Sequence, residues 1–283
     1  MAVEPAKVKQ LREKTGLPMM ECKRALEAVD GEVEKAYEEL RKAGLKAQEK
    51  LAGRTANEGR IGASVGGDGK VGVLVALRCE TEPVAKNDEF QKLLGQIVEA
   101  VARDNPKDKA AVEGLTLASG QTVKDGVTDL VNHIRENISL GGFERFESEA
   151  VAQYVHFDNK KAAMVALKGG SASDPAVAEA GKQIGMHIVF SKPLSLSRES
   201  LDSAVVEKER EIKLAAAQND PKNAKKPAEI LAKIIEGQME KFVSSQCLLE
   251  QPFVRNDKQT VAEFAKSAGL TIEEFTYIAT DAE

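Results

Sequence analysis

The sequence contains little cysteine and no long hydrophobic run. Its three cysteines, Cys22, Cys79 and Cys247, are far apart and form no CxxC pair. This arrangement argues against a disulfide framework or a zinc site and favours a reducing compartment. No apolar run approaches the roughly 20 residues that span a bilayer, and the N-terminal MAVEPAKVKQ lacks the apolar core of a signal peptide. We therefore expect a soluble, cytoplasmic protein without a membrane partner.

Motifs for catalysis are also missing from the sequence. There is no HExxH or GxSxG, and the three histidines, His133, His156 and His187, are scattered along the chain. Residues 66–70, GGDGK, are similar to part of a phosphate-binding loop, but Ser64 occupies the position of its first glycine. A hairpin turn is the better interpretation. His187 lies in a helical pattern typical of core packing, which favours a hydrogen-bonded, partly buried histidine over a ligand. The sequence thus predicts a protein that is not an enzyme.

The charge balance limits the kind of partner. Forty Lys and Arg residues oppose 45 Asp and Glu residues, which gives a formal net charge of −5. Binding to nucleic acid or to an anionic membrane through bulk charge is therefore not expected, and protein partners are the better expectation. A chain of 283 residues with 42% hydrophobic residues is long enough for about two domains with buried cores.

The N-terminal part shows the periodicity of three short helices within residues 6–43. In the second helix an apolar stripe is expected to face the core, formed by Met19, Cys22, Leu26 and Val29. Met20 falls outside this stripe, so it is either a partly covered surface residue or part of a protein-binding surface. Residues 46–59 have little apolar periodicity and several turn formers, which predicts a linker. The first domain is therefore placed at 1–45.

A repeated pattern occupies the middle of the chain. DGKVGVLVAL at 68–77 is similar to DNKKAAMVAL at 158–167, and each is a turn signal followed by an apolar strand. An earlier strand precedes each turn, and a helix follows each copy at about 88–103 and 174–189. One such unit cannot cover both of its own faces, so we predict two α/β subdomains that pack together. They comprise 60–150 for the first, and 151–198 with 248–283 for the second.

Residues 199–247 predict an antiparallel helical hairpin inserted in the second subdomain. Two apolar stripes are expected to meet across it, formed by Leu201, Val205, Ile212 and Ala215 in the first arm and by Leu231, Ile235 and Phe242 in the second. The stretch NDPKNAKKP separates the two arms. The hairpin either projects from the body as an arm or packs flat on a sheet.

The stretch ALRCETEPVAKNDEF at 76–90 joins an apolar strand to a helix through a polar corner. Asn87 or Asp88 can cap that helix, since a side-chain oxygen there accepts hydrogen bonds from the free amides of the first turn. Pro83 stiffens the corner by fixing φ. The corner is either an ordinary connection or a rigid surface presented to a partner.

Several stretches together resemble the bacterial elongation factor Ts family. They are LREKTGLPMMECKRALEAVDGEVEKAYEELRKAG at 11–44, CETEPVAKN at 79–87, MHIVFSKP at 186–193, VVEKE at 205–209 and QPFV at 251–254. Their order and spacing are also similar to those of that family. The resemblance implies an α+β fold with a ubiquitin-associated-type (UBA-like) three-helix domain, a duplicated α/β core and an inserted antiparallel coiled-coil hairpin.

The resemblance also implies a function. Members of the family are guanine-nucleotide exchange factors that bind elongation factor Tu (EF-Tu), both GDP-bound and nucleotide-free, and displace Mg²⁺ and GDP without a cofactor of their own. The corner matches the family's Thr-Asp-Phe-Val motif at Thr81 and Val84, whereas Glu82 and Pro83 replace the acidic and aromatic residues. A dimer or a two-to-two complex with EF-Tu is compatible with this reading.

Three further residues are implied as contacts with EF-Tu. By position they are the docking residues Met19 and Met20 in the N-terminal module, and Ile134 in the core. Two rival hypotheses remain open. One is a passive interaction module that has lost exchange activity through the altered corner; the other is an α/β enzyme that uses Cys79, for which the sequence offers no base.

Overall fold

The order of helices and strands divides the chain into an N-terminal helical module, two sheet-containing halves and an inserted pair of helices. A computed structural model describes residues 3–66, 68–219 and 227–281. The helices are α1 (Pro5–Thr15), α2 (Met19–Ala28), α3 (Val33–Leu51), α4 (Glu82–Ala85), α5 (Asp88–Asp104), α6 (Lys109–Gly114), α7 (Val123–Ile134), α8 (Pro175–Ser191), α9 (Ser203–Asn219), α10 (Ala228–Gln246) and α11 (Val261–Ser267). The strands are β1 (Glu58–Val65), β2 (Val71–Cys79), β3 (Ser139–Glu147), β4 (Ala150–Val155), β5 (Lys161–Lys168), β6 (Pro252–Phe253), β7 (Asn256–Thr260) and β8 (Thr271–Ala279). This mixture of helix and sheet confirms the expected α+β class.

The helices α1, α2 and α3 enclose a small apolar core of their own. Its buried members are Val8, Leu11, Leu17, Cys22, Leu26 and Ala36. Gly16 ends α1 in the left-handed conformation, with φ 67°, which a glycine adopts without strain. The prediction that Met19 faces this core is wrong, because its exposed fraction is 53%. Leu17, one position before the N-cap Pro18, fills the core at the start of α2 instead.

The third helix is longer than the sequence predicts. It continues to Leu51, so residues 46–51 of the expected linker are helical, and 52–57 join α3 to β1. This extension packs against α7. Thr128 Oγ1 donates a hydrogen bond to Gln48 Oε1 at 2.8 Å, and a Cβ at Gly44 would overlap the Asn132 side chain. The N-terminal module therefore contacts the core through the second part of α3.

Two antiparallel sheets of three strands form the centre of the core. Their strand orders are β1-β2-β3 and β4-β5-β8. The sheets pack face to face on a buried apolar layer, formed by Ile61, Leu74, Ala76, Phe146, Val151, Ala162, Met164, Ala166 and Ile278. We refer to β1–β3 with α4–α7 as the first core half, and to β4, β5 and β8 with α8 and α11 as the second. Period-two alternation in β2 and β5 places apolar side chains on both faces of each sheet.

Helices cover the outer face of each sheet. In the first core half α5 and α7 supply most of the apolar side chains over β2, among them Phe90, Ile97 and Val131. In the second half α8 and α11 cover β5 through Ile184 and Val261, among others. The helices predicted at 88–103 and 174–189 lie within two residues of α5 and α8. Both end in a left-handed residue, Asn105 and Lys192, immediately before a proline.

The helices α9 and α10 pack against each other. Their shared contacts are Ala217, Ile235 and Met239, with Val206 and Phe242 partly buried beside them. The prediction that Ile212 and Ala215 face the second arm is wrong, because both side chains are exposed, Ile212 to 53%. The stripe of α9 that faces α10 lies one position later, and the half-buried Lys213, paired with Glu209 at 2.8 Å, is part of it. Most of the predicted connection NDPKNAKKP lies outside the described residues.

Candidate functional site

The corner after β2 is a single helical turn. Thr81 is extended, with φ −130° and ψ 149°, and the next four residues form α4. Pro83 suits the first turn of a helix, since the amide it lacks would have no partner inside the helix. Asn87 caps the following helix: its Oδ1 accepts from the amides of Glu89, at 2.8 Å, and Phe90, at 3.3 Å. The expected cap at Asn87 is confirmed, whereas the corner expected as a loop is a short helix.

Burial divides the corner into an inner and an outer face. Ala85 is fully buried, and Val84 is half-buried against the apolar core of the first half. Thr81 and Pro83 are exposed. The corner is therefore fixed to the core from one side, and its outer face presents a hydroxyl and a pyrrolidine ring to solvent.

A hydrogen-bonded carboxylate connects the corner to the end of α7. Glu136 accepts from Thr81 Oγ1 at 2.6 Å and from the Thr81 amide at 3.1 Å. It lies two residues after Ile134, which ends α7 and is half-buried against the same apolar core as Val84. The structure thus brings the corner and Ile134, two sites predicted separately, to one end of α7.

The exposed methionines of the N-terminal module lie near the same place. Met19 and Met20 have exposed fractions of 53% and 58% at the start of α2. The next residue, Glu21, pairs with Arg135 at 3.0 Å, directly after α7. An ion pair therefore connects α2 to the residue after α7, and a hydrogen-bonded carboxylate connects the end of α7 to Thr81 of the corner.

The carboxylate of Glu82 is held by cations of this chain. Its Oε1 accepts from Arg60 Nη2 at 2.7 Å, and its Oε2 pairs with Lys160 Nζ at 3.0 Å. Lys86, one turn later in sequence, is 3.3 Å away. The Arg60 guanidinium, followed by the Lys160 ammonium, holds the pKa of the Glu82 carboxyl well below its usual range. These ion pairs set the direction of the Glu82 side chain.

Cys79 has no features of a catalytic nucleophile. The thiol is buried and donates a hydrogen bond to the Thr81 carbonyl oxygen at 3.2 Å. Burial, and then the nearby Glu136 carboxylate, raises the pKa of Cys79 to about 12, so the thiol stays protonated at neutral pH. This argues against the hypothesis of an enzyme that uses Cys79.

His187 is a buried residue with both ring nitrogens hydrogen-bonded. Nδ1 accepts from the Val254 amide at 3.2 Å, so Nε2 carries the proton and donates to Gln251 Oε1 at 2.7 Å. Burial lowers the pKa of His187, which keeps the ring neutral. The GGDGK stretch connects the antiparallel strands β1 and β2, with Gly69 at φ 70°. It lies in a hairpin connection, as expected, although residue 67 is outside the described range.

The part of the chain that the structure describes shows neither a cluster of metal ligands nor a membrane-spanning helix. Within residues 3–66, 68–219 and 227–281, no three His, Cys, Asp or Glu side chains are grouped as metal ligands. No helix among these residues is both long and apolar enough to cross a bilayer.

Comparison with known proteins identifies the family. A family model described as Elongation factor TS matches residues 80–281 and therefore begins at the corner. The chain belongs to the elongation factor Ts family. It is thus a member of a family of translation elongation factors, which act in protein biosynthesis.

Relatives named Elongation factor Ts match nearly the whole chain. The protein from Burkholderia multivorans is 42% identical over 276 residues, which cover 97% of this chain and 89% of the relative. Those from Azoarcus sp. and Desulfovibrio desulfuricans are 43% and 37% identical, over 95% and 96% of this chain and 87% and 93% of theirs. These alignments include most of the N-terminal module, which lies outside the family-model match.

Sequence reasoning missed the charged residues that hold the corner or join the N-terminal module to the end of α7. They are Glu21, Arg60, Arg135, Glu136 and Lys160. Only Arg60 carries a signal in the sequence, because a charged residue inside the apolar strand GRIGASV requires a nearby partner. The others stand in turns or at helix ends, where charged residues are ordinary.

Proposed function

We propose that this chain is a guanine-nucleotide exchange factor for EF-Tu. It binds EF-Tu·GDP in the cytoplasm and promotes displacement of Mg²⁺ and release of GDP, so that GTP can rebind. The chain itself performs no covalent chemistry and requires no cofactor. Membership of the elongation factor Ts family supports this proposal, as does the position of the exposed corner.

The corner is proposed as the element that disturbs the nucleotide site. An exchange factor must bind the nucleotide-free GTPase more tightly than the GDP-bound form. Because the two binding equilibria are linked, bound GDP lowers the affinity of the GTPase for the factor by the same factor by which the exchange factor lowers its affinity for GDP. Each tenfold decrease in the affinity of EF-Tu for GDP requires about 1.4 kcal/mol of this preference. If the corner is already ordered before binding, little conformational entropy is lost when it contacts the partner. The exposed Thr81 and Pro83, on a turn fixed through Val84 and Ala85, meet this requirement.

The N-terminal module and the end of α7 are proposed as docking surfaces. Met19 and Met20 are flexible apolar side chains on the surface, a type that is common at protein-binding sites. Ile134 is half-buried, so only part of this side chain is available to a partner. The pairing of Glu21 with Arg135 holds the two surfaces beside each other. We propose that EF-Tu contacts both surfaces at once.

The proposed domains follow the sequence analysis, adjusted to the observed helices. The UBA-like module comprises α1–α3, and the two core halves are the duplicated subdomains. The pair α9–α10 is the inserted coiled-coil hairpin. Residues 52–57, which follow α3, are the boundary between the module and the core.

The observation that carries the proposal is a corner buttressed on its inner face and exposed on its outer face. The test is stopped-flow release of a fluorescent GDP analogue from EF-Tu, measured at increasing concentrations of this protein. We expect the release rate to rise to a plateau far above the intrinsic rate. Binding with no change in the release rate would instead support the rival reading, a passive interaction module.

A further inference from the structure

Four charged side chains form a compact cluster behind the corner. They are Glu58, Arg60, Glu82 and Lys160. Only 7% of the Arg60 side chain is exposed, and besides Glu82 it donates to the Gly59 carbonyl oxygen at 2.7 Å. Lys160 Nζ lies 2.6 Å from Glu58 Oε2 and 3.0 Å from Glu82 Oε2. Charges of opposite sign therefore alternate through the cluster.

The cluster joins three separate parts of the fold. Glu58 and Arg60 belong to β1, the edge strand of the first sheet, and Glu82 belongs to α4. Lys160 lies in the turn between β4 and β5, in the second core half. The backbone of this turn is itself fixed at the junction. Asn159 O accepts from the Ile61 amide at 2.7 Å, and Lys160 O accepts from the Thr280 amide at 3.0 Å.

Lys160 pairs with Glu58 as well as with Glu82, so it links both β1 and α4 to the second core half. The buried Arg60 requires a carboxylate partner, since an unpaired buried charge is strongly destabilising, and Glu82 supplies it. Glu82 has a further cation nearby in Lys86, but that side chain is 67% exposed and directly follows the same short helix. Lys86 therefore ties α4 to nothing else. Lys160 ties α4 to the second sheet.

We infer that Arg60 and Lys160 are positioning residues for nucleotide exchange, which anchor α4 through Glu82 to both core halves. This inference rests on the proposed exchange function and assigns Glu82 to the anchor instead of to the contact with EF-Tu. The contact face of the corner is then Thr81 and Pro83. Because the ion pair of Lys160 with Glu82 joins the two halves, a partner that contacts the second core half also influences the orientation of the corner.

The physical reason for such an anchor is preorganisation. The helix α4 has only four residues, and a single isolated helical turn is unstable in water. Three of its backbone hydrogen bonds are long, at 3.2 to 3.3 Å, from the amides of Ala85 and Lys86. Without the anchor, the turn would lose conformational entropy on binding to nucleotide-free EF-Tu. This cost would reduce the preference for nucleotide-free over GDP-bound EF-Tu, which drives GDP release.

The test compares lysines at the two ends of β5. Lys160→Met removes the anchor ion pair, and Lys160→Arg retains a cation. Lys168→Met is the matched control, because Lys168 pairs with Glu273 at the opposite end of the same strand. GDP release from EF-Tu is followed by stopped flow, and the saturated rate is separated from the half-saturating concentration.

We expect Lys160→Met to lower the saturated rate roughly threefold, in line with the loss of one partly exposed ion pair. The half-saturating concentration should change less than the rate, since Thr81, Pro83 and the docking residues are retained. Lys160→Arg should restore most of the rate, and Lys168→Met should leave it unchanged. An equal loss of rate in the Lys160→Met and Lys168→Met variants would overturn the positioning role.

A second measurement on the free protein separates this inference from the exchange function itself. Hydrogen exchange of the Ala85 and Lys86 amides, followed by NMR, should become several-fold faster in Lys160→Met and stay unchanged in Lys168→Met. Unchanged amide exchange would overturn the anchor, whatever the rate of GDP release. Faster amide exchange with an unchanged rate would leave only a structural ion pair. If the wild-type protein fails to accelerate GDP release, the proposed function fails, and the amide measurement still decides whether the anchor exists.

Discussion

The two halves of the core are built alike, but only the first carries an elaborated strand-to-helix connection. In the first half, Cys79 and α5 are joined by a helical turn that is buried on one side and held by ion pairs. In the second half, β5 and α8 are joined by the small residues Gly-Gly-Ser-Ala-Ser-Asp at 169–174. Gly169 has φ 93°, and a Cβ there would collide with the Gly269 carbonyl oxygen.

The connection between β5 and α8 has only the features that joining a strand to a helix requires. The second half shows that a strand can be joined to a capped helix by a short run of small residues and one N-cap, Asp174, which accepts from the Ala176 amide at 2.8 Å. The additional turn and charges of the first half are not needed for that purpose. They favour the reading of the first corner as a surface built for a partner.

The N-terminal module increases the asymmetry, because it packs on α7 of the first half. Removal of residues 1–53 should leave the two stacked sheets intact and retain a cooperative thermal transition, since the fully buried residues of their apolar cores lie outside the module and only the partly buried Leu51 of α3 packs against them. Affinity for EF-Tu should fall on the order of 100-fold through loss of the docking surface. Calorimetry and circular dichroism measure the two effects.

The boundary used for this truncation matters. A cut after residue 45 would divide α3 and leave its second part, which covers Thr128 and Asn132, without the helix before it. Unaltered affinity of the 54–283 protein for EF-Tu would contradict the docking role of the module.

A second prediction compares the two connections by stability. Glu82→Ala leaves the buried Arg60 without its carboxylate, and we expect Tm to fall by about 5 °C. Asp174→Ala removes only a cap, worth about 1 kcal/mol, and should lower Tm by about 2 °C. Differential scanning calorimetry of both variants tests the order, and an equal shift would show that the charge cluster adds nothing to the first connection.

The stability from Glu82 should persist into acid. Its folded-state pKa is depressed, so its contribution is fully present above the unfolded-state value of 4.5 and is lost as pH falls through the folded-state pKa. The difference in Tm between wild type and Glu82→Ala should therefore be constant from pH 7 to pH 5 and shrink only below that range.

The third prediction alters the outer face of the corner. Pro83→Phe introduces the aromatic ring that the family motif has at this position, and the saturated rate of GDP release should rise a few-fold if ring insertion adds transition-state contacts. The exposed Pro83 leaves space for the larger side chain. Ser171→Phe, at the exposed connection of the second half, is the matched control and should leave the rate unchanged.

The smallest effect concerns the interface between the N-terminal module and α7. Burial raises the pKa of Asp129 to about 6. The positive charge of Arg41 lowers this pKa, and the negative charge of Asp125 raises it. Tyr37 also faces this site. A raised folded-state pKa means that the folded state holds the proton more tightly, so stability falls as pH rises from about 4 to about 6.

Asp129→Asn should therefore raise the free energy of unfolding at pH 7 by roughly 1 kcal/mol, after allowance for the lost attraction to Arg41. The gain should disappear near pH 4. Urea unfolding at both pH values measures it, and a gain that is equal at the two pH values would show that ionisation of Asp129 is not its cause.

The sequence was sufficient for elements with strong periodicity. The apolar alternation of β2 and the helical spacing of α5 and α8 placed these elements within two residues of their observed bounds. The helix cap at Asn87 and the hydrogen bonding of the His187 ring also followed from local chemistry. In each case the decisive interactions are made within the element or with the core, where hydrophobic pattern and structure agree.

The features that were missed depend on contacts between distant segments. Met19 continues an apolar stripe, but the first turn of α2 lies beyond the core that Leu17 fills. In α9 the residues 205 and 206 are both valine, so the apolar pattern allows two neighbouring stripes. Nothing in either segment alone pairs Lys160 with Glu82, since their meeting requires the stacking of the two sheets.

If the first corner drives the proposed nucleotide release, changes at the corner should alter the rate of GDP release more than the affinity for EF-Tu. Stopped-flow release of a fluorescent GDP analogue from EF-Tu is compared for wild type, Glu82→Ala/Pro83→Gly and the control Ser171→Ala/Ser173→Gly at two exposed positions of the second connection, all at saturating protein. We expect the first double variant to bind EF-Tu within a few-fold of wild type but to lower the saturated rate about tenfold. The control should release GDP at the wild-type rate. A first double variant that saturates at the wild-type rate would contradict the account and move the driving contacts elsewhere, with the end of α7 at Ile134 as the next site to vary.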